Sequence, residues 1–333
     1  MLPDFWYIAT ASNQLRSAPR PIRVLDKELV LFRDGAGVPH ALLDRCAHRG
    51  TRLALGQVVE GALACRYHGW RYAGDGRCVH IPSLTSGQRV PERAAVASFP
   101  CVEQDSYVWV WIAPSRPDPP GPPPIRGFTS SRWRQGSTPF ECDWLKGVEN
   151  NVDWCHPFFT HPWTHGQFFI TRFWGFREQQ FEWRVTEGGL TVFAPVTGSP
   201  DEPIPERPWV RLSFDLPNCV RVEFWRPVHM VVVMYFVATG PSTCRVEWLV
   251  TRLLPLGRRV RWSRGLPRIL AQDRLVLESA QSWYDRAGGE FEVSVEADTA
   301  TLAVRRIVAL AANGRWPAER TSMPPRRVVD VRA

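Results

Sequence analysis

The stretch CAHRGTRLALGQVVEGALACRYHGW, residues 46–70, contains two Cys/His pairs, Cys46 with His48 and Cys65 with His68. Closely paired Cys and His residues outside a disulfide-rich chain usually bind metal. Structural zinc sites typically pair cysteine with cysteine and histidine with histidine, whereas each pair here has one thiol and one imidazole. That division suits a two-iron, two-sulfide cluster with thiolates on one iron and imidazoles on the other. A structural zinc site is the alternative.

The longer segment 46–82 resembles the Rieske segment of the Rieske non-heme iron oxygenases. Arg49-Gly50, Tyr67 and Gly69-Trp70 fall where that family has them, as does the continuation GRCVHIP. The resemblance implies that Cys46 and Cys65 bind one iron of a [2Fe-2S] cluster, and that His48 and His68 bind the other. It favours the oxygenase (alpha) components of the vanillate and dicamba O-demethylase branch.

The chain has 333 residues and 44% hydrophobic residues, which is enough for two domains with cores of their own. The start lacks the basic region of a signal peptide, and the apolar run 230–238 is too short to span a bilayer. We therefore expect a cytoplasmic protein without a membrane partner. The net charge of +8 comes almost entirely from arginine, and no nucleic-acid-binding motif accompanies the basic stretch 258–268. We expect no nucleic-acid partner.

Seven prolines in the segment 114–127 predict an extended linker, because proline interrupts both helices and sheets. The part before it reads as short strands rich in aromatic and β-branched residues. We place an all-β Rieske domain at 1–125, ending in this linker, and a catalytic domain at 126–333.

The second domain combines one predicted helix at its start, 146–156, with a series of long strands and two later helices, 267–284 and 298–314. Gly188-Gly189 between two strand-like runs predicts a hairpin. The last residues, from Arg320 onward, read as a loose tail. The predicted fold class is α+β, in which a helix-grip domain (a curved antiparallel sheet holding a long helix) follows the Rieske domain.

A second metal site is indicated by ENNVDWCHPFFTHPWTH, residues 149–165, where three histidines lie close together. Pro157 and Pro162 push the preceding histidines out of helical geometry. The segment matches the family motif N-x2-D-x2-H-x4-H, and that resemblance implies that His156 and His161 are ligands of a mononuclear Fe(II). His165 is the competing ligand, because its spacing from His161 suits a regular helix.

An iron of this type needs a carboxylate to complete a triad with open positions for O2. Asp298 has an alternative role as the N-cap of a helix. Asp273 instead lies in an apolar stripe with Leu270, Leu277 and Ala280, where a carboxylate is costly unless it is paired or metal-bound. The segment Gln272-Asp273 through Glu278 also resembles the third-ligand segment of the demethylase branch. We choose Asp273, with Asp298 as the competitor.

Asp153 has a separate role by resemblance, since in the family this position bridges two metal centres. In that arrangement a head-to-tail homotrimer brings the cluster of one chain to the iron of the next. Asp153 would accept a hydrogen bond from His68 of a neighbouring subunit and would orient His156. The alternative is that Asp153 is an ordinary carboxylate at the N-terminus of a helix.

The resemblance implies an oxygenase component that receives electrons from NAD(P)H through a separate flavin/iron-sulfur reductase or ferredoxin. It would use O2 to monohydroxylate, or to O- or N-demethylate, an apolar small molecule, aromatic or polycyclic. Oxidative cyclisation or desaturation in a natural-product pathway is one alternative. The others are a Rieske electron carrier without oxygenase activity and a zinc-containing helix-grip protein.

Overall fold

The computed structural model describes residues 2–113, 119–129, 133–161, 178–196, 208–225, 229–253 and 265–332. The chain divides into two compact units, essentially Pro3–Ser130 and Ser131–Ala333. The domain boundary predicted from the sequence, after residue 125, lies shortly before this division. The predicted α+β class is confirmed, since the first unit consists of β-sheets and the second combines a large sheet with helices.

The first unit contains three small sheets, with strand orders β1-β11-β10, β2-β3-β4-β9 and β5-β6-β7-β8. Their strands are β1 Phe5–Ala11, β2 Arg20–Val24, β3 Lys27–Arg33, β4 Pro39–Leu43, β5 Gln57–Val59, β6 Ala62–Ala64, β7 Arg71–Tyr72, β8 Cys78–His80, β9 Ser98–Phe99, β10 Cys101–Gln104 and β11 Tyr107–Ile112. All pairings within these sheets are antiparallel. A core of apolar side chains such as Leu53 and Leu63 surrounds the buried Cys46 and Cys65.

The proline-rich segment differs from a free linker over the part that the structure describes. The indole Nε1 of Trp6 donates to the Pro120 carbonyl at 2.6 Å. The amide Nε2 of Gln104 donates to the Pro122 carbonyl at 3.1 Å. Proline leaves its carbonyl free to accept such bonds although it has no N–H to donate. Residues 119–125 therefore lie against the first unit.

The second unit is built on one antiparallel sheet of eight strands, in the order β12-β18-β17-β16-β15-β14-β13-β19. Its strands are β12 Trp133–Phe140, β13 Glu178–Val185, β14 Gly189–Val196, β15 Val210–Asp215, β16 Cys219–Phe224, β17 His229–Gly240, β18 Thr243–Leu253 and β19 Arg326–Arg332. The predicted hairpin at Gly188-Gly189 is confirmed as the β13–β14 connection. A Cβ on Gly189 would lie 2.2 Å from the Phe214 carbonyl oxygen, so only glycine fits there.

Four α-helices accompany this sheet among the described residues: α1 Trp144–Val152, α2 His156–Thr160, α3 Gly265–Ala287 and α4 Thr299–Ala312. Helix α1 packs closely on the sheet at Gly147, where an added Cβ would lie 2.5 Å from the Phe236 ring. Asp143 caps α1, because its Oδ1 accepts from the Leu145 amide at 2.7 Å. None of the described helices combines the length and the hydrophobicity that a membrane-spanning helix requires.

Two sequence-based expectations need correction. The single helix predicted over 146–156 is broken, because Asp153 has extended backbone angles (φ −72°, ψ 122°) and α2 starts afresh at His156. The C-terminal tail predicted to be loose instead forms β19, which pairs with β13. Alternation accounts for the strand: Val329 and Val331 are buried while Asp330 and Arg332 are exposed.

Candidate functional site

Two loops of the first unit repeat the same backbone geometry around the Cys/His pairs. In the first loop, the Cys46 amide donates to the Thr51 carbonyl at 2.8 Å and the Gly50 amide donates to the Cys46 carbonyl at 3.0 Å. In the second loop, the Cys65 amide donates to the Trp70 carbonyl at 2.8 Å and the Gly69 amide donates to the Cys65 carbonyl at 2.9 Å.

A glycine closes each of these loops in the left-handed region. The backbone φ is +75° at Gly50 and +70° at Gly69, and side chains rarely adopt such angles. The glycines that follow His48 and His68 in the sequence are therefore conformational requirements, and the two loops present their Cys and His residues as a matched pair.

The two imidazoles meet at the open end of these loops. The Nδ1 atoms of His48 and His68 lie 3.2 Å apart, and both rings are solvent-accessible. His48 stacks on Trp70 with ring centroids 4.6 Å apart and an interplanar angle of 4°, and His68 contacts Tyr67. Both rings therefore turn Nδ1 toward a common point, which fits two imidazole ligands of one iron.

The two thiols lie at the buried end. Cys46 and Cys65 are each 3% exposed, and burial raises the pKa of the Cys65 thiol. A thiolate at such a depth requires a compensating cation. Tyr72, which is fully buried, contacts the Cys46 sulfur at 3.2 Å and accepts from the Ala47 amide at 3.1 Å. With both thiols buried and both imidazoles reached by solvent, the donor set fits a two-iron cluster better than an isolated ion.

A second group of possible ligands forms in the second unit between α2 and α3. The Nε2 atom of His161 lies 3.0 Å from Oδ1 of Asp273, and Nε2 of His156 lies 3.7 Å from the same oxygen. One ligand atom from each of these residues can be chosen so that all lie within 4.8 Å of one another. Two imidazoles and one carboxylate on one side of a metal leave positions open for other ligands.

Hydrogen bonds at the opposite ring nitrogens orient both imidazoles. His156 Nδ1 lies 3.0 Å from the Asp153 backbone carbonyl, an acceptor, and must therefore carry the proton of that bond. His161 Nδ1 lies 2.9 Å from Oε1 of Gln272. Each ring consequently keeps Nε2 for Asp273 or a metal ion, as second-sphere partners of metal-bound histidine normally ensure.

Electrostatics separate the two histidines. Burial lowers the pKa of His156, because a charged imidazolium is poorly solvated there. Burial is the largest single influence on His161 and acts to lower its pKa. The hydrogen bond and charge of Asp273, together with the contacts to Gln272 and to the Thr160 backbone, outweigh burial, so the pKa is raised. Asp273 is 3% exposed and accepts a further hydrogen bond from the Asn150 amide at 3.0 Å.

Asp153 ends α1 and is not at the N-terminus of a helix. Its Oδ1 accepts from the Cys155 amide at 2.7 Å, whereas its Oδ2 lies 4.0 Å from Nδ1 of His156. Its backbone carbonyl, more than its carboxylate, orients His156 within the chain. Burial raises the pKa of Asp153.

The alternative ligands are placed differently. Asp298 precedes α4, and its Oδ2 accepts from the Val295 amide at 2.7 Å. His165 lies outside the described residues. The apolar stripe expected around Asp273 holds for the buried Leu270, but Leu277 is half-buried and Ala280 is exposed. The stripe therefore covers only the first part of α3, where Asp273 lies.

Two contacts of this site do not follow from the sequence reasoning. The sequence reasoning gives Asn150 no contact with Asp273, and it gives Gln272 no contact with His161. The sequence contained one signal for the Gln272 contact, namely that Gln272 directly precedes Asp273. A helix does not by itself place consecutive residues on one face, so this signal was weak.

Comparisons with known proteins agree with this geometry. Residues 5–100 match the model of the Rieske [2Fe-2S] domain. The oxygenase component of dicamba O-demethylase from Stenotrophomonas maltophilia is 36% identical over 159 residues, which are 47% of this chain and 46% of that protein. Chlorophyllide a oxygenase of Chlamydomonas reinhardtii is 38% identical over 164 residues, covering 48% of this chain and 24% of that protein.

The fold resemblance extends further than the sequence similarity. The crystal structure of dicamba monooxygenase bound to dicamba matches with a TM-score of 0.75 at 22% identity, covering 94% of this chain and 98% of that chain. The curated relatives above match over less than half of their own length. The first unit is thus a Rieske [2Fe-2S] domain. The predicted resemblance to Rieske oxygenase alpha components, including the dicamba O-demethylase branch, is confirmed.

Proposed function

We propose that this chain is the oxygenase component of a Rieske non-heme iron monooxygenase or demethylase. Its substrate would be an apolar small molecule, aromatic or polycyclic, that is hydroxylated or loses an O- or N-methyl group. The observation that carries the proposal is the convergence of His156, His161 and Asp273 in the second unit. An electron carrier without oxygenase activity would have no use for this second group of ligands.

Each set of residues has a distinct task in this proposal. Cys46, His48, Cys65 and His68 hold the [2Fe-2S] cluster, and His156, His161 and Asp273 hold Fe(II). The cluster would supply single electrons, and the Fe(II) would supply O2 activation. In His156 and His161, the proton on Nδ1 keeps Nε2 available for the metal. Asn150 fixes Asp273 by donating to its Oδ1 at 3.0 Å.

Transfer between the two centres belongs to the same proposal. The half-buried Asp153 would accept a hydrogen bond from His68 of a neighbouring subunit in a head-to-tail homotrimer. Its carboxylate is held by the Cys155 amide at 2.7 Å, and its carbonyl orients His156. One residue would thereby connect the incoming imidazole with an iron ligand.

Electrons would come from NAD(P)H through a separate flavin/iron-sulfur reductase or a ferredoxin. The net charge of +8 suits an acidic donor. We place the protein in the cytoplasm, a reducing compartment that suits a chain whose eight cysteines form no disulfide. Oxidative cyclisation or desaturation begins from the same site and stays an alternative outcome.

The test is metal analysis of anaerobically purified protein together with the Asp273→Ala variant. We expect about three irons and two acid-labile sulfides per chain, with a Rieske-type electron paramagnetic resonance signal on reduction. The variant should keep the cluster signal and retain about two irons. Substrate screening with a reductase follows. Two irons in the unaltered protein would favour the electron carrier, and zinc without sulfide would refute the oxygenase.

A further inference from the structure

Helix α3 contacts the imidazole of His161 at both ring nitrogens through two consecutive residues. Oε1 of Gln272 lies 2.9 Å from Nδ1, and Oδ1 of Asp273 lies 3.0 Å from Nε2. The His161 side chain is 2% exposed and the Asp273 side chain 4% exposed. Bulk water therefore has little access to replace either contact.

The Gln272 contact decides which nitrogen of His161 carries the proton. An amide oxygen only accepts hydrogen bonds, so the bond requires the proton on Nδ1. Without a metal ion, Nε2 also carries a proton, which it donates to Oδ1 of Asp273 at 3.0 Å. A metal ion bound at Nε2 would take the place of that proton, while Nδ1 kept its own. If the amide turned its NH2 group toward the ring, Nδ1 would have to accept and the remaining proton would stay on Nε2, so that this nitrogen could not bind a metal.

The two histidines of the site differ in how they are oriented. His156 is held by the backbone carbonyl of Asp153, three positions away in the same segment. His161 has a backbone contact with its neighbour Thr160, but its Nδ1 partner is a side chain 111 positions away in the sequence. The orientation of His161 therefore depends on a residue that substitution can change without altering any of the three ligands.

We propose that Gln272 is a positioning residue that fixes the Nδ1-protonated tautomer and the ring orientation of His161. This inference rests on the proposed function only in taking His161 as a metal ligand. Loss of the amide oxygen removes the acceptor that holds the proton on Nδ1, and Asp273 then favours the ring form protonated on Nε2, which cannot bind a metal. Losing such a partner of a metal-bound histidine typically lowers metal affinity by about 10- to 100-fold.

The experiment compares Gln272→Met with Gln272→Glu in the full chain with its cluster intact. Methionine keeps the length of the side chain but lacks the acceptor, whereas glutamate retains an oxygen that accepts from Nδ1. Arg274→Met is the matched control, because Arg274 lies on the exposed face of the same helix and is 46% exposed. After mild chelation, anaerobic Fe(II) titration measures the affinity of the second site.

We expect Gln272→Met to weaken Fe(II) binding about 10- to 100-fold. Gln272→Glu should stay within a few-fold of the unaltered protein, and Arg274→Met should leave the affinity unchanged. The second readout is nitrogen NMR of the imidazole in apo protein carrying labelled histidine. It should report a protonated Nδ1 of His161 in the unaltered chain and a loss of Nδ1 protonation in Gln272→Met, where only the Asp273 contact at Nε2 remains.

The two readouts separate the possible failures. If Gln272→Met keeps both the Fe(II) affinity and the Nδ1-protonated form, the inference about Gln272 is wrong while the metal site stands. If the unaltered protein binds no Fe(II) beyond its cluster, the proposed function fails, and the tautomer measurement still decides the role of Gln272. Equal weakening in Gln272→Met and Arg274→Met would point to general damage of α3 and would also overturn the inference.

Discussion

Tyr72 contacts the loop that carries Cys46, and this contact has a consequence that a redox titration can measure. Its hydroxyl oxygen accepts from the Ala47 amide at 3.1 Å, so its own proton is available for the Cys46 sulfur at 3.2 Å. In a cluster, Cys46 is a thiolate, and a hydrogen bond to it stabilises the more negative, reduced state. Tyr72 would thereby raise the reduction potential of a cluster held by Cys46.

We expect Tyr72→Phe to lower the midpoint potential of the cluster by up to about 60 mV. A hydrogen bond to a charged group contributes about 1.5 kcal/mol, and about 59 mV corresponds to a tenfold change in a one-electron equilibrium. The measurement is a redox titration followed by the Rieske signal. Tyr67→Phe is the control, because Tyr67 is 63% exposed. An unchanged potential in Tyr72→Phe would contradict the assigned bond.

The proposed cluster ligands stand out in the sequence because each pair is local. Cys46 and His48 share one short loop, Cys65 and His68 share another, and Gly50 and Gly69 mark the turns. The carboxylate chosen from the sequence, Asp273, lies close to His156 and His161. Part of the reason was incomplete, since the expected apolar stripe ends before Ala280. Burial of Asp273 comes from packing between helices, which a single helix pattern does not specify.

Strand β19 is an element that the sequence analysis did not predict. Its residues 326–332 include three arginines and one aspartate, a composition that reads as solvent-exposed. Its partner β13 lies about 150 positions earlier, as the Gln180–Asp330 contact shows. Long-range pairing of this kind depends on an unpaired edge elsewhere in the chain, and short sequence windows carry no information about that edge.

Burial of Val329 predicts that β19 contributes to stability. Val329 is 1% exposed and lies opposite Phe181 in the register of β13 and β19. We expect Val329→Ala to destabilise the second unit by about 2 kcal/mol, through lost apolar burial and a residual cavity. Urea unfolding followed by far-UV circular dichroism measures the change. Val328→Ala is the control on the other face of the strand, where the side chain is only half-buried, and equal effects of the two variants would contradict the packing.

Taken over all 333 residues, the chain has an excess of positive charge, +8 at pH 7, and acid increases this excess by protonating carboxylates. In the first unit, Glu103 links β10 to Arg33 of β3 through bonds of 2.6 and 3.0 Å. The hydrogen bond from Arg33 lowers the pKa of Glu103 below its ordinary value of 4.5. The stabilisation is therefore present above the unfolded-state pKa and is lost as the pH falls through the folded-state pKa.

We expect the stability of the first unit to fall more steeply with decreasing pH in the unaltered protein than in Glu103→Gln. The difference in stability between the two proteins should be largest above the ordinary carboxyl pKa and should shrink as the pH falls, because protonation removes the ion pair from the unaltered chain. Denaturant unfolding at a series of pH values, followed by the visible absorbance of the cluster, measures this. Arg33→Met should show the same reduced pH dependence. A gap that widens in acid would give the opposite sign and contradict the assignment.

The order of the two ligand sets along the chain has a consequence for biosynthesis. Every residue of the first unit's cluster loops has been synthesised by residue 70, and that unit is complete near residue 130. Gln272 is synthesised 111 residues after His161, and the sheet of the second unit is completed only by β19. Domains fold as units in the order of their synthesis. The first unit could therefore bind its cluster on the ribosome, before the second unit is able to bind iron. A nascent chain stalled soon after residue 130 leaves the ribosome tunnel would then already be coloured, whereas the proposed second iron would bind only after translation ends.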